Sequence, residues 1–262
     1  MTSLADRVIA AVTTEHDTTA ALARTLTDEQ LTTTSGSAEW TVADVLSHLG
    51  SGSVITLAGL QAALGEREQP ADDFSQSVWD RWNAMTPAEQ RDGFIEHDAA
   101  LVAALNALDD QQRETLQVSV GFLPFPLAVA PFAGLRLSET TQHGWDVRVA
   151  GDKTAELSGE SAGVLAALFS TELAFLAGFL GKPDLIAEPV RLDIAESGYG
   201  LSITDSIALV SPVDDPTATF SGSIASALRL IAGRLRPEHT PTEVTVTGNI
   251  TLDQLRTAFP GF

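Results

Sequence analysis

Cysteine is absent from all 262 residues. Its absence removes disulfides, thiolate zinc sites, iron–sulfur clusters and a cysteine nucleophile together, so any thiol chemistry must import its sulfur. Lysine is almost absent too: of 15 basic residues, only Lys153 and Lys182 are not arginine. With abundant Ala and Thr, that bias fits a GC-rich genome. Positive charge is scarce as a whole, since 35 Asp and Glu against the 15 basic residues leave a net charge of −20. A surface so acidic repels phosphate backbones and anionic lipid, which argues against nucleic-acid and membrane-surface partners. An uninterrupted apolar segment long enough to span a membrane is also lacking. Residues 118–135 carry no charge, but Pro124, Pro126 and Pro131 punctuate them, and Glu172 sits inside the second apolar stretch, 161–181. The N-terminal segment, with Asp6 and no continuous apolar core, does not resemble a signal peptide, and a cytoplasmic location is expected.

What is present is a core-forming composition, 44% hydrophobic, sufficient for one large domain or two small ones. Up to about residue 150, apolar positions recur every three to four residues. This spacing predicts helices over Leu4 to Leu26, from Val42 to Leu64, over Pro87 to Leu108 and over Ala133 to Ala150. Thr41 is suited to N-cap the second of these with Asp44 three residues on, and a polar loop is expected at 65–77. Four such helices predict a four-helix bundle over residues 1–155. Beyond Gly151-Asp152-Lys153 the pattern changes. A helix over Gly159 to Leu180 is followed by short alternating runs, PVRLDIAES, GLSITDSIALVS and TATFSGS. A helix IASALRLIAGRLR, a strand EVTVTGNI and a final helix from Thr251 to Phe259 complete the chain. Strands mixed with helices at this spacing predict a smaller α+β domain over 156–262.

Five histidines are available: His16, His48, His97, His143 and His239. His143 follows Glu139 by four residues, which in a helix places both side chains on one face, within reach of a single cation. His48, among Val45, Leu46 and Leu49, is the best third ligand, and three ligands with an open position match catalytic zinc. The same ExxxH spacing also occurs as a solvated pair, and a mid-helix histidine also occurs as a hydrogen-bonded core residue. Asp146 can accept a hydrogen bond that orients an imidazole, or simply be solvated. His16 and His97, each flanked by acidic residues, are expected on exposed helix faces, and His239 in a loop. Trp40 and Trp145 are expected to pack the core. In the second domain six basic residues face 13 acidic ones, and Arg229, Arg234 and Arg236 fall within eight residues. As one helix they would put Arg229 and Arg236 on one face and Arg234 on another, serving either to hold a carboxylate or to cap the helix C-terminus.

The segment WTVADVLSHLGSG, the segment RLSETTQHGWDVRVA with Arg136, Glu139, His143 and Asp146, and the tail ALRLIAGRLRP…VTVTGNITLDQLRTAFPGF together resemble the mycothiol-dependent maleylpyruvate isomerase family. That family belongs to the DinB-like metalloenzyme superfamily. The resemblance implies a DinB-like four-helix bundle followed by a sterol-carrier-protein-like α+β domain. It also implies His48, Glu139 and His143 as ligands of a divalent metal, usually zinc, and mycothiol, the small thiol of actinobacteria, as cosubstrate. Arg234 is the match to an active-site arginine of the family. Arg81 and Asn83 lie near where family members place substrate contacts. The expected activity is addition of an activated thiol to a small, anionic electrophile, ending either in cis–trans isomerisation or in S-transfer, by a monomer or homodimer. A non-catalytic ligand-binding protein and a thiol-independent metal hydrolase are the competing readings.

Overall fold

The structure, a computed structural model, describes residues 2–261. The chain separates into two compact units, Met1–Asp152 and Lys153–Phe262.

The first unit is helical: α1 (Leu4–Ala23), α2 (Asp28–Leu31), α3 (Val42–Ala63), α4 (Phe74–Asn83), α5 (Pro87–Ala107), α6 (Asp110–Thr115) and α7 (Val129–Gly151), with a two-residue hairpin of β1 (Gln117–Val118) and β2 (Leu127–Ala128) before α7. The four long helices form the bundle, α3 packing on α5 and α7, and α1 on the same two. Their starts follow from local chemistry. Ser3, Thr41 and Thr86 each accept a hydrogen bond from the backbone amide three residues on, and the Asp or Glu there accepts one from the cap's own amide. Pro87 opens α5, where its missing N–H costs nothing.

The polar segment expected to be a loop ends earlier than predicted, because α4 starts at Phe74. No side-chain cap announces it. It is held from outside by burial of Val78 and Trp82. The Trp82 ring lies so close to α3 and α5 that a Cβ on Gly50 or Gly93 would fall 2.2 and 2.8 Å from it. Those two mid-helix glycines are the sequence trace of the contact.

A buried polar chain crosses the bundle. His16 Nδ1 on α1 donates to Asp98 Oδ2 on α5 at 2.7 Å. Arg136 on α7 donates to Asp98 Oδ1 at 2.7 Å, to Ser53 Oγ on α3 at 2.7 Å and to the Leu49 carbonyl at 2.9 Å. One salt-bridged set therefore ties all four long helices together. His16, expected on an exposed face, is 5% exposed. Its acidic neighbour Glu15 is buried as well, 3.6 Å from Arg148. His97 is half-buried against the Trp82 ring.

The second unit holds α8 (Gly159–Phe169), α9 (Phe175–Leu180), β3 (Val190–Ile194), β4 (Tyr199–Ile203), β5 (Ile207–Val210), β6 (Ala218–Ser221), α10 (Ile224–Ile231), β7 (Thr245–Gly248) and α11 (Leu252–Ala258). The sheet order is β5-β4-β3-β6-β7, with β3 and β6 parallel and all other pairs antiparallel. Alternate residues of β3, Val190, Leu192 and Ile194, are buried, as a sheet covered on one face requires.

Two expectations fail in this unit. The single helix over 159–180 is broken after Phe169, where the Ser170 and Thr171 hydroxyls bond back to the Ala167 carbonyl at 2.9 and 2.7 Å and compete with helix amides. The helix through Arg236 ends at Ile231, and Gly233 turns the chain at φ +70°. The one-helix geometry proposed for the three arginines therefore does not exist. Arg229 is 1% exposed and pairs with Glu156 at 2.7 Å. Among the described residues no helix is long and apolar enough to cross a membrane.

Candidate metal centre

Helices α3 and α7 lie side by side and carry His48 on one and Glu139 and His143 on the other. His48 Nε2 donates to Glu139 Oε2 at 2.7 Å, and His143 Nε2 stands 3.7 Å from the same oxygen. The ligating atoms of all three lie within 4.8 Å of one another. Ligands held about 2.0–2.2 Å from one zinc ion at tetrahedral angles stand roughly 3.3–3.6 Å apart. The donor atoms here, all within 4.8 Å of one another, come close to that spacing. Two imidazoles and one carboxylate are a donor set that suits a borderline divalent cation, and the residues fit one.

The surroundings fix the ligands. His143 Nδ1 donates to Asp146 Oδ2 at 2.9 Å, which orients the ring with Nε2 toward Glu139. Asp146 is fully buried on the same face of α7, beneath the loop before α3. There the Gly36 amide donates to the Asp146 carbonyl at 2.9 Å, and a Cβ on Gly36 would fall 2.8 Å from Asp146 Oδ1. The same loop delivers Trp40, whose ring lies 5.2 Å from His48 and 5.7 Å, stacked, from His143. The two imidazoles are 4.6 Å apart, edge to face. Trp40 thus packs against the core, as expected, and also walls the site.

Although the Glu139 side chain is 48% open to solvent, the protein around its carboxyl pushes its pKa up. The hydrogen bond to His48 and the charges of His143, His48 and Arg136 outweigh that and hold it at about 2. The group is a carboxylate at any physiological pH, ready to take a cation.

A cavity of about 420 Å³ opens beside His48, between α3 and α4. Asn83 lines it, whereas Arg81 is exposed on α4 and is not among its walls. Arg234 lies in the second unit, past the end of α10, with its guanidinium donating to the Ala232 carbonyl at 3.0 Å. Trp79, beside Arg81 and Asn83 in the sequence, lines it too, whereas sequence reasoning missed Asp44, Ser47 and Ser51 as part of the lining. The spacing 44, 47, 48, 51 is one helix face and contained the signal.

The family model of the mycothiol maleylpyruvate isomerase N-terminal domain matches residues 12–148. Among solved structures, the crystal structure of the mycothiol-dependent maleylpyruvate isomerase is similar over 95% of this chain and 98% of that one, with a TM-score of 0.66 and 14% identity. A crystal structure of a histidine-to-alanine mutant of that enzyme matches equally well. At that identity the likeness speaks for the fold. No curated protein matches. The family model spans just over half of the chain and contains the whole His48, Glu139 and His143 cluster, so the chain belongs to the mycothiol maleylpyruvate isomerase family.

Proposed function

We propose that the protein is a metal-dependent enzyme that uses mycothiol as its thiol, acting on a small electrophilic substrate by the addition chemistry of a maleylpyruvate isomerase. The observation that carries this reading is the convergence of His48, Glu139 and His143 within 4.8 Å inside the family region. His48, Glu139 and His143 would hold a divalent ion, which would supply the Lewis acidity that lowers a thiol's pKa toward neutrality.

The chain's own residues do the rest. Asp146 accepts from His143 Nδ1 and orients the ring so that Nε2 faces Glu139. Trp40 closes one side of the two imidazoles and limits water there. With no cysteine in the chain, the sulfur has to be supplied by the cosubstrate. Sulfur addition to a conjugated carbon, bond rotation and expulsion of the same thiol would give net cis–trans isomerisation with the thiol returned. For a substrate whose adduct does not collapse, the outcome is S-transfer. Arg234 is assigned the anchoring of a substrate carboxylate. Arg234→Ala is then expected to raise KM for an anionic substrate and to leave metal content unchanged.

The test is incubation of zinc-loaded protein with mycothiol and maleylpyruvate, and separately with a generic electrophile, followed by chromatography and mass spectrometry. The expected result is thiol-dependent turnover of one of them, as isomer or as adduct. Turnover that is indifferent to mycothiol would replace this reading with a metal-dependent hydrolase. Absence of turnover on both would overturn it.

A further inference from the structure

Helix α9 (Phe175–Leu180) reads FLAGFL, apolar or glycine at every position. A helix that is apolar all round belongs in an interior. Its inner side is covered: Ala177 is 1% exposed, the helix rests on β5, and the Lys182 amide just past its end donates to the Ala258 carbonyl at 2.7 Å. Its outer side is bare. Phe179 is 72% exposed, its ring edge to face with Phe175 at 6.3 Å, and Leu185 on the short turn that follows is 53% exposed. Leu176, Leu180 and Ile186 are half-buried around them. An anchored helix thus presents a contiguous apolar face to solvent, the mark of a surface that meets another.

Charge selects the occupant. Glu172 precedes the helix, Lys182 follows it, and residues 173–181 carry no charge, so the segment 172–182 is neutral in a protein of net charge −20. Both charged ends are exposed. Among the described residues Glu172 accepts only from the adjacent Thr171 hydroxyl, and Lys182 has no acid partner. Two copies of α9 laid antiparallel about a two-fold axis bring each Glu172 to the Lys182 of the other copy, with the phenylalanines between them. Such a face complements itself, as a two-fold contact requires. An anionic lipid surface, in contrast, is repelled by the acidic surroundings, in which Asp184 stands on the rim beyond Lys182. Gly178 lies on the exposed side, and a Cβ there would meet nothing. Glycine weakens a helix relative to alanine, and nothing within the chain requires it at this position. Close approach of a second helix does.

We propose that the outer face of α9, with Leu185 and Ile186, is the contact through which two copies of this chain associate, antiparallel about a two-fold axis. The six apolar side chains of each copy are well under the roughly 20–30 residues a side of a standard interface. The association is therefore concentration-dependent, not permanent. Nothing in it depends on the metal centre or on the proposed activity.

Sedimentation velocity of the full chain at low salt, from about 1 to 100 µM, reads the association. The expected result is a rise from the monomer mass to twice that mass across the range. Phe179→Ser should weaken it about tenfold or more, and Gly178→Gln should weaken it by filling the space between the helices. Both positions are exposed, and circular dichroism should find the variants folded. Glu172→Lys and Lys182→Glu should each weaken the dimer several-fold, and the double reversal should restore it. A monomer throughout the range, a dimer unaffected by Phe179→Ser, or a double reversal no stronger than either single one would overturn the proposal. Monomeric protein that binds neutral phosphatidylcholine vesicles, and loses that binding in Phe179→Ser, would also overturn it and assign the face to a lipid surface.

Discussion

The first unit contains two clusters made of nearly the same parts. In one, His16, Asp98, Arg136 and Ser53 join four helices with no opening to solvent, Asp98 and Arg136 being 0% and 3% exposed at their side chains. In the other, His48, Glu139 and His143 join two helices at the surface, with side chains 38%, 48% and 14% exposed. Arg136 and Glu139 are three residues apart on α7, and each cluster holds its carboxyl at about pKa 2. The difference is in what completes them. Every oxygen of Asp98 is taken by protein, from His16 on one side and from Arg136 and Ser53 on the other. The open cluster brings three ligand atoms together and offers them outward. The same residue types therefore produce a structural lock where burial is complete and an outward-facing set of donor atoms, proposed above as a metal site, where it is not.

The largest expected effect of breaking that comparison is at Asp98. Asp98→Ala leaves Arg136 buried without a counter-charge, which costs about 3–5 kcal/mol of stability, read from urea unfolding, with zinc affinity of the folded fraction preserved. An effect below about 1 kcal/mol would mean that the lock is not a lock. The pH dependence follows from the same group. Burial pushes the Asp98 pKa up, but Arg136 and the hydrogen bonds from His16 and Ser53 hold it at about 2, below an unfolded value near 3.9. Its contribution is therefore complete above about pH 4 and is lost as pH falls through 2. The amount is on the order of 2–3 kcal/mol. Acid unfolding of Asp98→Asn should lack that segment of the curve.

At the open cluster the pattern reverses. Removing His48 breaks an exposed pair worth about 0–1 kcal/mol to the fold. His48→Ala should leave the metal-free melting temperature nearly unchanged while stoichiometric metal binding and activity are lost. Asp146→Asn sharpens the distinction between holding a metal and holding the ligand that holds it. Zinc affinity should fall about 10–100-fold, measured by competition with a chelator, while an unchanged affinity would reduce Asp146 to a packing residue. The smallest effect is expected at the cap: Thr41→Ala removes the capping box at the start of α3 and costs about 1 kcal/mol, seen as a modest shift in thermal unfolding.

These two clusters were unequally legible in the sequence. Glu139 and His143 are four residues apart in one helix, and the spacing alone puts them together. His48, 91 residues before Glu139, came from its apolar setting and from the resemblance to known motifs. The buried lock was invisible, because His16 is 82 residues from Asp98 and its flanking Glu15 and Asp17 suggest a solvated face. Only the arrival of Asp98 and, behind Glu15, of Arg148 makes burial tolerable. The long helices and the change to an α+β pattern were plain from periodicity. The α4 helix was not, since it lacks a cap and is held by Trp82 wedged against Gly50 and Gly93. The arginines after α10 misled for a related reason. An apolar, Ala-rich run suggests a longer helix, but Gly233 at positive φ turns the chain before Arg234 is reached.

The most direct test of the account is the metal content of the purified protein after zinc loading and removal of excess ion, compared with His48→Ala and Glu139→Gln. The account predicts one equivalent of divalent metal per chain in the unaltered protein and a loss of it in both variants, each still folded. Less than about half an equivalent in the unaltered protein, or retention of the metal in either variant, would contradict it.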